Sequence, residues 1–355
     1  MILTRALAGI DPTLYRQDYL FNDAGNYTFY NNANVVLFQI AAVLSIDRPD
    51  TVLRVLKGLT SFVFLLGWYL LGARLSGSWL AGVATALACT LTIPTVVGDY
   101  WGLYLEAQPR VLFGACLPYI VLLAIDARRL AHWVATFALS GLAFWLHPAS
   151  GPPVALATMA AMAVGHCDRL RLPRLVGVCL VSGLVYLAII APNFGQYVSG
   201  VLQASRGGDP VLTAEAMHLR FAEEYVDGIQ GAAASLKSIF AGPRAVLALL
   251  GLAGALIIWR RGKGDERRSL RVVVTMLVVI VVLACLVPAI ENMAARAAGR
   301  QPLQLDLVRA VRYLVPLLLV LAIWGVSRID HHWRLKFLPL GILVFGRPPV
   351  SGRPG

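Results

Sequence analysis

Charge is what this 355-residue chain has least of: Asp, Glu, Lys and Arg make up 14% of it, against about 25% in an ordinary soluble domain. Apolar residues fill 58% of the sequence and the mean hydropathy is +0.70, which excludes a soluble globular protein. Cysteine is also scarce. Of the five, Cys89, Cys116, Cys179 and Cys285 fall in apolar runs and Cys167 in a short connection, with no C-x-x-C pair, so the pattern supports neither a disulfide framework nor a structural metal site. The centres of the apolar runs lack ionisable residues, and the chain lacks a visible internal repeat. Both weigh against a secondary transporter, which carries such groups near mid-membrane in paired halves. A net charge of +12 could point to nucleic acid, but a basic groove needs clustered cations interleaved with polar residues on a soluble face. Here the cations punctuate apolar runs, so no nucleic-acid partner is expected.

What is present is a series of long apolar blocks. Spans are expected at 52–75, 78–97, 109–125, 132–146, 152–165, 174–191, 244–260, 271–289 and 309–326, with a partial tenth from Leu335. Those from 109 to 165 are shorter than the roughly 20 residues of a bilayer crossing. The expected fold is all-α: a polytopic transmembrane helical bundle of about nine spans plus a partial tenth, with short interfacial helices on its outer face. Its parts are an outer-face loop with a juxtamembrane helix (1–50), a transmembrane domain (51–346) with an outer loop at 192–243, and a disordered tail (347–355).

Lys and Arg fix the orientation, because loops on the cytoplasmic side carry their excess. With residues 1–50 outside, the inner connections hold 15 cations from Arg74 to Lys336 against Asp126, Asp168, Asp265, Glu266 and Asp330. The outer side holds 14 of each sign. The start "MILTRALAGIDP" is too short and polar for a signal peptide or a span, so a helix upstream of Met1 is expected. With the cut-off tenth span, the chain reads as a fragment of a larger membrane protein or a miscalled reading frame.

Polar chemistry is therefore confined to the outer face. The first segment, "IDPTLYRQDYLFNDAGNYTFYNNAN", carries Asp11, Asp18 and Asp23 with five Asn and four Tyr; an ordinary solvated loop has the same composition. The second, "GDYWGLYLEAQPR", puts Asp99, Glu106 and Arg110 among aromatics. An interfacial aromatic belt explains Trp and Tyr there, but not two acids and an arginine, which could hold a phosphate or a sugar. In "FWLHPASGPP", His147 sits before a tight re-entry forced by Pro148, Pro152 and Pro153; a lone His of this kind is commonly a cap, and gains interest only if other outer segments converge on it. In "QLDLVRAVRYLVP", helical spacing places Asp306, Arg309 and Tyr313 on one face with Arg312 beside them. Two arginines entering the outer interface run against the positive-inside bias and call for an anion, either lipid phosphate or substrate phosphate. Within the loop 192–243, Met217, Phe221 and Tyr225 recur every four residues, which predicts a surface helix near 213–229.

The order of features resembles the GT-C superfamily of membrane glycosyltransferases over roughly residues 10–190. An acidic first outer loop is followed by the short apolar "NVVLFQIAAVLSI", then "DRPDTVLRVLKGLTSFVFLLGWYLLGARL", a very short turn, and "SWLAGVATALACTLTIP"; short spans and an outer His-Pro come next. The resemblance implies transfer of a sugar from a polyprenyl-phosphate carrier to an acceptor at the outer face of a bacterial inner (plasma) membrane, as part of cell-envelope chemistry. It implies an acid of the first outer loop, Asp18 or Asp23, as general base. Arg309, Arg312 and Arg110 would be the phosphate anchors, with Asp99, Glu106, His147 and Tyr313 lining the substrate site. A divalent cation is admitted but not required, and no metal ligands are assigned. Family members begin with a helix absent here, which leaves a base upstream of Met1 open. The competing readings are a non-catalytic polytopic membrane protein and a secondary transporter.

Overall fold

In a medium without water, backbone polar groups must be satisfied within the chain, so apolar runs fold as helices. The computed structural model describes residues 49–95, 100–103, 109–206, 228–299 and 307–329, with Ile40 and Val43 as single positions. Its elements are α1 (Pro49–Ser76), α2 (Trp79–Cys89), β1 (Ile93–Pro94), β2 (Tyr100–Trp101), α3 (Pro109–Ile125), α4 (Leu130–Leu146), α5 (Gly151–His166), α6 (Leu172–Arg206), α7 (Gly228–Ile239), α8 (Pro243–Arg261), α9 (Gly264–Ala297), a 3-10 segment (Leu307–Tyr313) and α10 (Leu314–Ser327). The expected 1–50 loop, the 347–355 tail and the partial tenth span lie outside the described residues, apart from Ile40, Val43 and the start of α1. So does the predicted 213–229 helix, except for Gly228 and Ile229, which open α7.

Among the described residues, five helices are long and apolar enough to cross a membrane: Arg54–Ser76, Leu172–Gly195, Pro243–Arg261, Gly264–Ala297 and Leu307–Ser327. Their outward faces carry large apolar side chains in the open, such as Phe62 and Leu66 on α1, Leu180 and Leu184 on α6 and Leu249 and Leu256 on α8. Exposed apolar surface on this scale needs a lipid covering. The chain is an all-α integral membrane bundle. With 17, 17 and 16 residues, α3, α4 and α5 reach about 25 Å each at 1.5 Å per residue.

One expected span is corrected. The apolar run 78–97 is helical only over Trp79–Cys89. Thr90, Thr92 and Ile93 are β-branched and Pro94 has no N–H to donate, which together disfavour another helical turn. The chain instead extends, with Ile93 opposite Trp101 and Pro94 opposite Tyr100 in a short antiparallel pair. The exposed end of α2 is repaired locally: Trp101 donates its indole N–H to the Cys89 carbonyl at 3.0 Å, and Thr90 Oγ1 donates to Leu87.

Packing relies on small residues where helices cross, as expected where apolar contact with lipid offers no gain over contact between helices. Between α1 and α2, a Cβ on Gly72 would lie 2.4 Å from Thr85 Oγ1, and one on Gly82 2.8 Å from the Tyr69 carbonyl. Between α8 and α10, the backbones of Gly254 and Gly325 are in direct contact. Several buried hydroxyls are absorbed by their own helices: Thr60, Thr85, Thr136, Ser140 and Thr158 each donate to the carbonyl four residues back, whereas the Ser182 and Tyr186 hydroxyls on α6 are buried with no hydrogen-bond partner among the described residues.

The ends of the bundle differ. Among the described residues, six ion pairs tie together the connections that the charge count assigns to the inner side. Arg74 meets Asp126 at 2.5 Å, Arg128, Arg169 and Arg268 share Asp265 at 4.0, 3.3 and 2.9 Å, Arg271 pairs with Asp168, and Arg328 pairs with Glu266. The contacts group these loops at one end of the bundle.

Candidate functional site

At the opposite end, the start of α3, the α4–α5 turn and the 3-10 segment meet. The turn is built tightly. His147 caps α4, its N–H donating to Ala143 at 3.1 Å, and its own carbonyl accepts the N–H groups of Ser150 and Gly151 at 3.1 and 3.3 Å. A Cβ on Gly151 would meet the Phe144 side chain at 2.6 Å, so α5 can start against the end of α4 only because this residue is glycine. Pro152 and Pro153 then occupy the first turn of α5, where a missing N–H does no harm.

Residues 307–313 form a 3-10 helix rather than the expected α-helix. Pro316, in the first turn of α10, leaves the Arg312 carbonyl without its α-helical donor. In a 3-10 helix, residues three apart eclipse, so Arg309 and Arg312 stack and Arg312 Nε donates to the Arg309 carbonyl at 2.9 Å. Tyr313 leaves the face that α-helical spacing would have shared with Arg309 and turns into the core. It is fully buried, and its hydroxyl donates to Ser150 Oγ at 2.8 Å, joining the 3-10 segment to the α4–α5 turn. Its ring lies 5.2 Å from Phe113 and 6.1 Å, edge-on, from Trp101, which packs in turn on Phe64 and Trp68 at 5.8 Å each. This aromatic layer is the floor of the site.

Above it the charges gather. Arg312 is 3% exposed, while Arg309, Arg110 and His147 are half-buried. The His147 ring is edge-on to Phe113 at 6.5 Å, and its Nδ1 is sealed from solvent with no hydrogen-bond partner among the described residues. Burial, followed by repulsion from Arg312, Arg309 and Arg110 in that order, pushes its pKa down to about 3. Three permanent cations thus lie near enough to His147 to hold its imidazole neutral.

The depressed pKa has a signed consequence. The unfolded chain, with His near 6.5, binds this proton more tightly than the folded chain does, so the contribution to stability is complete above about pH 6.5 and is lost as pH falls toward 3. At about pH 5 the expected 15N-histidine spectrum shows His147 neutral, and a bound phosphate is expected to raise its midpoint by offsetting the arginine field. A midpoint near 6.5 in the ligand-free protein would contradict the geometry.

Of the residues singled out in the sequence, Arg110, His147, Arg309, Arg312 and Tyr313 come together here. Asp18, Asp23, Asp99, Glu106 and Asp306 lie outside the described residues. Sequence reasoning missed Ser150, Phe113 and the packing role of Trp101. Ser150 and Trp101 stood inside flagged segments, but nothing in sequence pairs a serine with a tyrosine 163 positions away. Among the described residues, no three His, Cys, Asp or Glu side chains come close enough to hold a metal ion. Compared with family models, curated proteins and solved structures, the chain matches none.

Proposed function

We propose that the chain is a membrane glycosyltransferase of GT-C type, with about nine spans and a partial tenth in a bacterial inner membrane, acting at the outer face on a polyprenyl-phosphate sugar. The observation that carries this reading is the meeting of Arg110, His147, Arg309 and Arg312, from three separate connections, around one point.

In this reading Arg309 and Arg312 hold the carrier phosphate, with Arg110 assisting, and His147 and Tyr313 shape the cleft. Asp99 and Glu106 would hold sugar hydroxyls. The acceptor oxygen attacks the anomeric carbon as Asp18 or Asp23 takes its proton; the bond from that carbon to the phosphate oxygen breaks, and its electron pair leaves with the phosphate. The arginines stabilise that developing charge. A base upstream of Met1 is the alternative to these aspartates. Asp18→Asn and Asp23→Asn are expected to abolish sugar transfer, singly or together, while carrier binding persists. Full transfer by the double variant would remove these residues from the mechanism.

The side on which the site lies can be tested with a native residue. Cys167 is the exposed cysteine among those described and sits in an inner connection. An impermeant maleimide applied outside is expected to spare Cys167 and to label a Gly207→Cys variant at its new thiol. Labelling of Cys167 in sealed cells would invert the orientation.

A further inference from the structure

The inner end holds a second basic cleft that the proposed reaction does not use. It lies between the α3–α4 connection, the end of α5 and the start of α6, with a volume of about 550 Å³. Arg128, Arg129, Arg169 and Arg174 line it on the solvent side. Acids do not balance them: Asp265 is shared by Arg128, Arg169 and Arg268, Asp168 is taken by Arg271, and Asp126 by Arg74. Arg129 and Arg174 have no acidic partner among the described residues. The remaining walls are apolar, formed by Leu130, Trp133, Val178 and Val181. His166 closes the floor, held by a 2.9 Å contact from Nε2 to the Ala124 carbonyl and edge-on to Trp133.

The chemistry of this lining is divided, cationic toward solvent and apolar toward the membrane. Val181 both lines the cleft and is exposed on the lipid side of α6, next to the exposed Leu180 and Leu184. Gly177 borders the open part of the cleft, since a Cβ there would meet no atom within 4 Å. A soluble anion has no use for such a wall, whereas a phospholipid presents a phosphate and a chain in this order and orientation. Basic pockets between helices on the cytoplasmic side are well suited to anionic head groups. We propose that this cleft binds an anionic phospholipid of the inner leaflet, its phosphate among Arg128, Arg129 and Arg174 and its chain along Trp133, Val178 and Val181.

The test uses the full chain in detergent, titrated with phosphatidylglycerol and followed by native mass spectrometry. Phosphatidylcholine and glycerol 3-phosphate serve as the other probes. Saturable binding of phosphatidylglycerol is expected, reduced at least tenfold by Arg129→Gln with Arg174→Gln. Gly177→Leu, which keeps every arginine, favours the helix and fills the opening, is expected to reduce it as much. Arg260→Gln with Arg267→Gln removes equal charge outside the cleft and is expected to leave binding within twofold. An equal loss in that control pair, retained binding in Gly177→Leu, or glycerol 3-phosphate competing as well as the lipid would each overturn the proposal. Melting temperatures without lipid identify any variant that merely misfolds, and Gly177→Leu and the arginine pair provide independent routes to the same answer.

Discussion

Gly254→Leu is expected to yield little folded protein. A Cβ at this position would lie 2.2 Å from the Leu321 carbonyl oxygen and 2.8 Å from its carbon, and Gly325, one turn further along α10, also presses on the Gly254 backbone. These neighbours are main chain, so no rotamer change relieves the clash and α8 and α10 must separate. Overpacking a well-fitted contact costs about 1–3 kcal/mol, occasionally more, and a leucine forced between touching backbones belongs at the upper end. Thermal unfolding in detergent should show Gly254→Leu melting far below the parent, with Gly254→Ala between the two. Gly58→Ala is the control, because its new Cβ meets nothing, and in mid-helix it is expected to gain up to about 1 kcal/mol. A parental melting curve for Gly254→Leu would mean that α8 and α10 do not pack through these glycines. The effect extends to the site, since α10 continues directly from the 3-10 segment bearing Arg309 and Arg312.

Arg312→Lys is expected to weaken binding of polyprenyl phosphate by one to two decades. Lysine keeps the charge but loses the planar fork and the Nε donor that reaches the Arg309 carbonyl. Loss of a hydrogen bond to a charged group costs about 1.5–3 kcal/mol, which converts to that range of affinity. Arg309→Lys should follow in the same direction with a smaller effect, because Arg309 is more exposed. An arginine serving only lipid head groups tolerates lysine, so Arg260→Lys, exposed on α8, should bind the carrier as the parent does. Unchanged affinity in Arg312→Lys would place the carrier phosphate elsewhere.

The helices were legible where apolar runs ended at strong punctuation. The run expected at 109–125 is α3 residue for residue, because Pro109 opens it and Asp126 closes it. The runs at 132–146 and 152–165 lie within α4 and α5 to within two residues at each end. Hydropathy failed at 78–97 because it counts Thr92, Ile93 and Pro94 as apolar and ignores that they resist the helix. It also understated α6 and α9, which continue as helices past their apolar stretches; hydropathy marks solubility in lipid, not where the backbone leaves the helix. At the site, the outer arginines singled out in the sequence, Arg309 and Arg312, lie with Arg110 near His147. The face shared by Arg309 and Tyr313 was drawn for 3.6 residues per turn, whereas residues 307–313 form a 3-10 helix with three. The Tyr313–Ser150 bond and the Phe113 contact depend on how three distant connections dock, which no local pattern encodes.

The central claim, that the outer arginine cluster receives a lipid-linked phosphate, is most directly tested by photolabelling the full chain with a polyprenyl phosphate bearing a diazirine beside the phosphate. The labelled residues are then mapped by mass spectrometry. Crosslinks are expected on residues 109–113, 147–150 and 307–313, with their yield reduced in Arg309→Lys with Arg312→Lys. Crosslinks confined to the inner cleft around Arg129 and Arg174, or spread along the lipid-facing surfaces of α6 and α8 with no response to those substitutions, would contradict it.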